Sequence, residues 1–534
     1  MILNRRTFLH TTLLGAAGVV ARADERLKAP FRALYSSDTT HILTCTSPWH
    51  QRGEKLTASM FQASVDEAAD AGADAYLLQP GMGWVPWWPS KVLPLDQHAA
   101  WFREHFASKK TNPYFDFLLA GGDLVKLSVD RCRERNIGAF VSFRLNDAHH
   151  KEEADDPKRT RVECVSQFYA EHLEYRLGPQ PEQTSYAAKL HNWAIPEVRE
   201  FKFRFIEELC RNYDLDGFEL DFMRHPHYFR LGETTREQRR AIMVEFIARV
   251  RRVLDETARG RRHRWLSVRI PAHLASHDNL GVDVAAFAAA GVEMFDLSTY
   301  YHTEQRTSLG AIRKLAPNAA IYHELTQCTA FNKKPQALSH RRSTPEQLTT
   351  TANLAYARGA DGIALFNFQY YRAQSHEPDP PTMEPPFAVV KTLRDRKQVS
   401  TLPQHYFIGV NYSEPRPPKR PLPRPVKDGT KTSFTLDLAP LAGGWKNDGR
   451  LRIQSELPLG ESKWTATLNG NTLSANPDVT EPYPNPFTQL LGTAETLRAW
   501  NVPLSTLRDG DNTLDVVMTG APEAIIIFLD LALA

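Results

Sequence analysis

The chain has 534 residues, 42% hydrophobic and 24% charged, which exceeds one ordinary domain and places it among soluble globular proteins. A formal charge of +3, with no long basic run interleaved with aromatics, argues against a nucleic-acid partner. The five cysteines (Cys45, Cys132, Cys164, Cys210, Cys328) lack paired short spacing, which argues against a zinc knuckle or a disulfide framework.

At the start, Asn4-Arg5-Arg6-Thr7-Phe8-Leu9 precedes an apolar stretch from Leu13 to Val20 and the small residues around Ala21-Arg22-Ala23. This order resembles a bacterial twin-arginine export signal, which implies cleavage near residue 23 and a periplasmic or extracellular mature protein. No later segment approaches the roughly 18 apolar residues of a membrane span, so no membrane is expected for the mature form.

Beyond the signal, short apolar runs alternate with helical patterns: 41–47, 75–80, 137–145, 217–223, 266–270, 294–300, 320–325 and 362–368. Strands separated by helices in this number spell a (β/α)8 TIM barrel, assigned to residues 36–398. Ala71-Gly72-Ala73-Asp74, Ala290-Gly291-Val292-Glu293 and Arg358-Gly359-Ala360-Asp361 each close a helix with glycine and turn on an acid into a strand. Thr344-Pro345-Glu346-Gln347 is a capping-box start. Proline and basic residues crowd 414–426, so 399–427 reads as a stiff connector. From 428 to 534, short alternating segments with Asn469-Gly470 and Asp509-Gly510 turns predict a β-sandwich, jelly-roll-like, with a docking or glycan-contacting role.

Strand alternation sends a polar set into the barrel: Gln79, Ser142, Arg144, Asn146, Glu219, Asp221, Arg269, His273, Asp296, Ser298, Tyr300, Tyr322, Glu324, Asn367 and Gln369. So many inward polar groups need partners, and a solvated ligand-binding mouth at the strands' C-terminal ends supplies them. Glycoside hydrolysis needs two carboxyl groups about 5–9 Å apart. Asp221 and Glu324 are the expected pair, Asp221 as nucleophile or base and Glu324 as acid, with Glu219 and Asp296 in reserve. The competing reading pairs Glu324 with Arg269 or His273, and Glu219 with an arginine.

Trp84, Trp87 and Trp88, on a proline-stiffened loop, are expected to stack on sugar rings, with at least one serving as a hydrophobic lid. Arg144, Arg224, Arg269 and His273 would suit an anionic glycan, unless they neutralise the barrel's own acids. His225-Pro226-His227 and His149-His150 lack the spacing of a recognised metal site, so neither an essential metal nor a cofactor is expected.

The run Asn192-Trp193-Ala194-Ile195-Pro196-Glu197-Val198-Arg199, followed by Tyr213-Asp214-Leu215-Asp216-Gly217-Phe218-Glu219-Leu220-Asp221, resembles the glycosyl-hydrolase-like barrels, in particular the group called glycosyl-hydrolase-like ten. The resemblance implies a TIM-barrel hydrolase acting on glycans, with Asp221 at the family's strand-four aspartate. Glu219 and the segment 224–227 depart from that pattern. An exported glycoside hydrolase is thus the leading expectation. A glycan-binding barrel without catalysis and a polysaccharide lyase with a tyrosine or histidine base are the alternatives.

Overall fold

The computed structural model describes residues 29–50, 54–106, 113–149, 162–179, 187–258, 262–334, 337–372, 384–411, 420–488 and 490–533. The expected export signal lies outside the described residues. Eight parallel strands close a barrel: β1 (Ala33–Ser37), β2 (Ala75–Leu78), β3 (Gly138–Arg144), β4 (Gly217–Asp221), β5 (Trp265–Pro271), β6 (Met294–Ser298), β7 (Ala320–Thr326) and β8 (Gly362–Phe366). Each pairs with its neighbours in sequence, and β8 closes on β1.

Seven of the eight sequence-derived strands coincide with these. The first does not: 41–47 was expected, but His41–Thr44 is a short helix and the strand lies earlier, at Ala33–Ser37. Every residue of β1 is buried, with Ala33 and Tyr35 packed outward and Leu34 inward. Its run of apolar residues is too short to stand out beside His41-Ile42-Leu43.

The three glycine junctions do what their sequence implies. Gly72, Gly291 and Gly359 have φ of 98°, 106° and 104°, the left-handed conformation that ends a helix at least cost without a Cβ. The acid that follows each then caps a neighbouring strand. Asp74 accepts the N–H of Arg32 and Ala33, Glu293 that of Leu266, and Asp361 that of Ile321. Asp216 does the same for Ala139, so the first acids of the Asp214–Asp221 run are floor fasteners rather than site residues.

Two layers fill the barrel. The floor is apolar, from Phe31, Leu34, Leu77, Phe140, Trp265, Met294 and Tyr322. Above it, the inward positions of β2 to β7 turn polar. The helices pack outside through apolar faces, as Ala58–Ala71 does with Phe61, Val65 and Ala68, its start capped by the Thr57 side chain. Among the described residues no helix is long and apolar enough to cross a membrane.

The C-terminal part is two antiparallel sheets around a shared core that includes Leu451, Trp500, Val516 and Leu531. Its strands are β9 (Gln404–Gly409), β10 (Arg424–Lys427), β11 (Thr432–Leu438), β12 (Gly449–Ser455), β13 (Lys463–Leu468), β14 (Asn471–Thr472), β15 (Ser474–Asn476), β16 (Leu497–Val502), β17 (Gly510–Thr519) and β18 (Glu523–Leu533). One sheet runs β9-β18-β12-β16-β15 with β10 also on β18, and the other β11-β17-β13-β14. Asn469 and Gly470, with φ of 52° and 84°, make the expected hairpin turn between β13 and β14. The Asp509-Gly510 turn joins no hairpin, because β16 and β17 belong to different sheets.

The expected connector at 399–427 is a correction as well. Residues 404–409 and 424–427 are sandwich strands, and β9 is tied to the barrel by His405 N–H to Thr350 Oγ1 at 2.7 Å and Phe407 N–H to Gln305 Oε1 at 2.8 Å. The sequence pattern of proline and arginine hid the alternation of His405, Phe407 and Tyr406.

Candidate active site at the barrel mouth

The polar upper layer is built by register. Arg269 on β5 is the strand partner of both Asp221 on β4 and Asp296 on β6, and all three point inward. Arg269 is fully buried and organises the layer. Its Nε and Nη2 donate to the two Glu324 oxygens at 2.5 and 3.0 Å, Nη1 donates to Asp221 Oδ1 at 3.1 Å, and Nη2 also donates to Ser298 Oγ at 3.0 Å. Its plane lies 3.8 Å from the Phe366 ring centroid, which supports the guanidinium from one face.

The four carboxylates differ in how they are held. Asp221 accepts from the backbone N–H of Met223 and Arg224, from Arg269 and from the Gln79 amide. Glu324 is forked by Arg269 and accepts from the Ser298 hydroxyl, and burial raises its pKa although Arg269 pulls it down. Glu219 sits one rung deeper, between the hydroxyls of Ser142 and Ser267 at 2.7 and 2.9 Å, and burial pushes it up to about 7. Asp296 has no hydrogen-bond partner at either oxygen among the described residues. Burial, then the charges of Glu324 and Glu219, lift its carboxyl well above the usual range. Asp296 is therefore the acid of the group with no cation bonded to it and is driven toward its protonated form, and Glu324 is the arginine's counter-ion.

A second polar layer covers the first. Arg144 spans Asp38 and Asp147 at 2.9 and 3.0 Å and also reaches Gln79. Arg224 donates to the Tyr301 hydroxyl at 2.6 Å and to His149 Nε2 at 2.9 Å, with Asp38 3.5 Å away. Burial raises the Asp38 carboxyl, but Arg144 and Arg224 outweigh it and hold it below the ordinary value. Three non-glycine residues just past strand ends adopt left-handed backbone: His225 (φ 57°), Tyr300 (φ 68°) and Asn367 (φ 53°). Such conformations are costly for bulky side chains and gather at sites where the surroundings over-determine the backbone.

Several expectations are corrected here. Asp221, Glu219, Asp296 and Glu324 all have 0% exposure, so the acids do not open to solvent. Trp84, Trp87 and Trp88 are core rather than platform. Trp84 stacks beside Phe168, Phe201 and His191, Trp87 lies on Tyr114, and Trp88 donates to Glu208. Asn146 fastens two loops by donating to the carbonyls of His191 and His227. His273 leaves the mouth for a cleft of about 300 Å³ between barrel and sandwich, where it bonds Glu304 at 2.7 Å. Asn367 and Gln369 are buried on the loop after β8. The arginines each face a carboxylate, which removes the basis for an anionic-glycan subsite.

Sequence reading missed Asp38 and Asp147. Asp38 follows the strand that was misplaced, and its position one residue past Ser37 was the available signal. All five cysteines are buried.

No protein-family model matches the sequence, and no curated protein sequence does. Solved structures similar to it include the α-L-fucosidase isoenzyme 2 from Paenibacillus thiaminolyticus, with 10% identity, 70% of this chain and 49% of that one covered, and a TM-score of 0.41. The chain thus spans about half the fucosidase's length. The PgaB (BpsB) glycoside hydrolase domain from Bordetella bronchiseptica shares 10% identity over 69% of this chain and 99% of that one, with a TM-score of 0.42. A glycoside hydrolase family 5 protein from Bacteroides vulgatus shares 10% over 92% and 90%, with a TM-score of 0.36. Likeness at this level transfers no residue roles, and the barrel assignment rests on the strand order itself.

Proposed function

We propose that the chain is a glycoside hydrolase that cleaves the O-glycosidic bonds of a poly- or oligosaccharide, with Asp221 as nucleophile or base and Asp296, rather than Glu324, as the acid. The observation that carries this reading is the pairing of unlike carboxyls on one rung: Asp221, an acceptor to four N–H donors, and Asp296, buried, without a hydrogen-bond partner among the described residues and driven toward its protonated form. They stand two strands apart, about 10 Å between backbones, and both side chains run toward the barrel axis, which supports the ~5–9.5 Å separation that glycosidases use. Arg269 between them fixes the Asp221 oxygen and polarises the site.

A sugar reaches this pair only when the covering layer moves. Tyr300, Tyr301 and Arg224, which cover the acids, are the side chains that have to swing aside. With its arginines neutralised, the mouth suits an uncharged glycan. The twin-arginine-like start supports export to the periplasm or beyond, and the sandwich has a docking or glycan-contacting role. Replacing Arg5 and Arg6 with lysine and fractionating cells tests the proposed export: retention in the cytoplasm is expected, and unchanged export contradicts it.

Release of reducing ends from a panel of neutral and acidic polysaccharides tests the hydrolase reading. Wild type should act on at least one neutral polymer, and D221N and D296N should each lose about 10²–10⁴-fold in turnover with unchanged circular dichroism. Full activity in D221N rejects the assignment. The complete burial of the acids favours one second reading, a glycan-binding barrel without turnover. Under it, no polymer is cleaved and D221N alters affinity alone.

A further inference from the structure

We propose that Asp147, His149 and His225 form a metal site on the rim of the barrel mouth that takes one first-row divalent cation of the zinc class. Asp147 and His149 lie on the loop after β3 and His225 on the loop after β4, so the three meet only because adjacent strands bring their loops together. One ligand atom from each lies within 4.8 Å of the other two.

The donor atoms are already aimed. Asp147 is fully buried; Arg144 fixes its Oδ2 at 3.0 Å and leaves Oδ1 facing both imidazoles. His149 Nδ1 and its backbone N–H both bond Oδ1, and His225 Nδ1 stands 3.6 Å from it. The two rings meet edge to face at 5.3 Å, which leaves the space between them and the carboxylate as the meeting point. His225 reaches it through a left-handed backbone, φ 57°, that a non-glycine residue adopts at a cost. Both side chains are partly exposed, 24% for His149 and 13% for His225, so solvent reaches the cluster.

Two imidazoles and one carboxylate suit zinc, cobalt, nickel or iron and not magnesium or calcium, which prefer oxygen alone. The protons balance without a co-reactant. His149 Nε2 accepts from Arg224, so its proton sits on Nδ1 toward Asp147. When the metal takes Nδ1, that proton moves to Nε2 or to solvent, and Arg224 turns to Asp38, 3.5 Å away. At His225 the metal replaces the N–H of Ala148, now 3.1 Å from Nδ1. Arg144 and Arg224 balance Asp38 and Asp147 in charge, so the cluster has no net negative charge to draw the dication in beyond its donor atoms.

The test is titration of the metal-stripped full chain with Co²⁺, followed by its visible absorption, and with Zn²⁺ by calorimetry, alongside H149Q, H225Q and the double variant. One equivalent should bind to wild type, each single variant should weaken binding at least about tenfold, and the double variant should abolish it while circular dichroism shows it folded. Excess Mg²⁺ or Ca²⁺ should not compete. Equal binding by the double variant, or no binding by wild type, overturns the site. Because metal uptake is read directly, the outcome is independent of whether the barrel cleaves a glycan.

Discussion

Arg269→Met is the sharpest probe of the buried network. The arginine is fully buried and makes three hydrogen bonds to carboxylates, two to Glu324 and one to Asp221, besides one to Ser298. Methionine fills much of its volume but leaves Glu324 with Ser298 alone and Asp221 without its side-chain cation. Removing one partner of a buried ion pair costs roughly 3–5 kcal/mol, and here two acids lose the same partner. The variant can recover part of this by protonating Glu324, whose pKa already lies above the ordinary value because of burial. Its native state then binds more protons than its unfolded state, so stability falls as pH rises above the unfolded carboxylate value and is largely restored below it. Urea unfolding followed by tryptophan fluorescence at pH 5 and pH 8 measures this directly. A loss at pH 8 clearly larger than at pH 5 is expected. A variant as stable as wild type, or equally destabilised at both pH values, would refute the claim that Arg269 neutralises these acids.

Other consequences are independent of catalysis. Glu219 is raised to about 7 by burial, so it contributes a penalty of about 3 kcal/mol that is absent below pH 4.5 and complete above pH 7. E219Q should flatten the stability–pH curve across that window, and an unchanged curve would show that Glu219 titrates normally. Gly83 has φ 62°, and a Cβ there would meet the Cys164 carbonyl oxygen at 2.1 Å, so G83A should lower the unfolding midpoint measurably, whereas an unshifted midpoint would mean the loop adapts freely. In the sandwich, Asp530 is fully buried between Arg452 and His405, and burial is outweighed by these partners, which hold its carboxyl well below the ordinary value. D530A should cost roughly 3–5 kcal/mol at pH 7, less as pH falls through the carboxylate range, read from denaturant melts.

Most of the barrel was legible because each strand past the first is bounded by a turn and carries a buried run, and because glycine followed by an acid marks three helix-to-strand junctions. The inward set was legible for the same reason: period-two alternation puts Gln79, Ser142, Arg144, Glu219, Asp221, Arg269, Asp296 and Glu324 on the axis side. Which of these acids is free was not legible, because that depends on where one guanidinium points. Arg269 takes Glu324 and leaves Asp296, a choice set by packing on Phe366 and by the Ser298 hydroxyl. The tryptophans failed for a related reason. An indole-rich loop has the same sequence signature whether its rings stack on a sugar or on Phe168, Phe201 and Tyr114, and burial of the rings against one another won. The strand at 404–409 was hidden by its surroundings of proline and arginine, although it bonds the sandwich to Thr350 and Gln305 of the barrel.

The most direct test is a crystal structure of D221N bound to an oligosaccharide that the wild type cleaves. The account predicts a glycosidic oxygen within hydrogen-bonding reach of the Asp296 carboxyl, the residue at 221 facing the anomeric carbon, and Tyr300 and Arg224 displaced from their present places. A sugar lodged in the cleft beside His273 and Glu304, with the mouth still closed over Arg269, would contradict it.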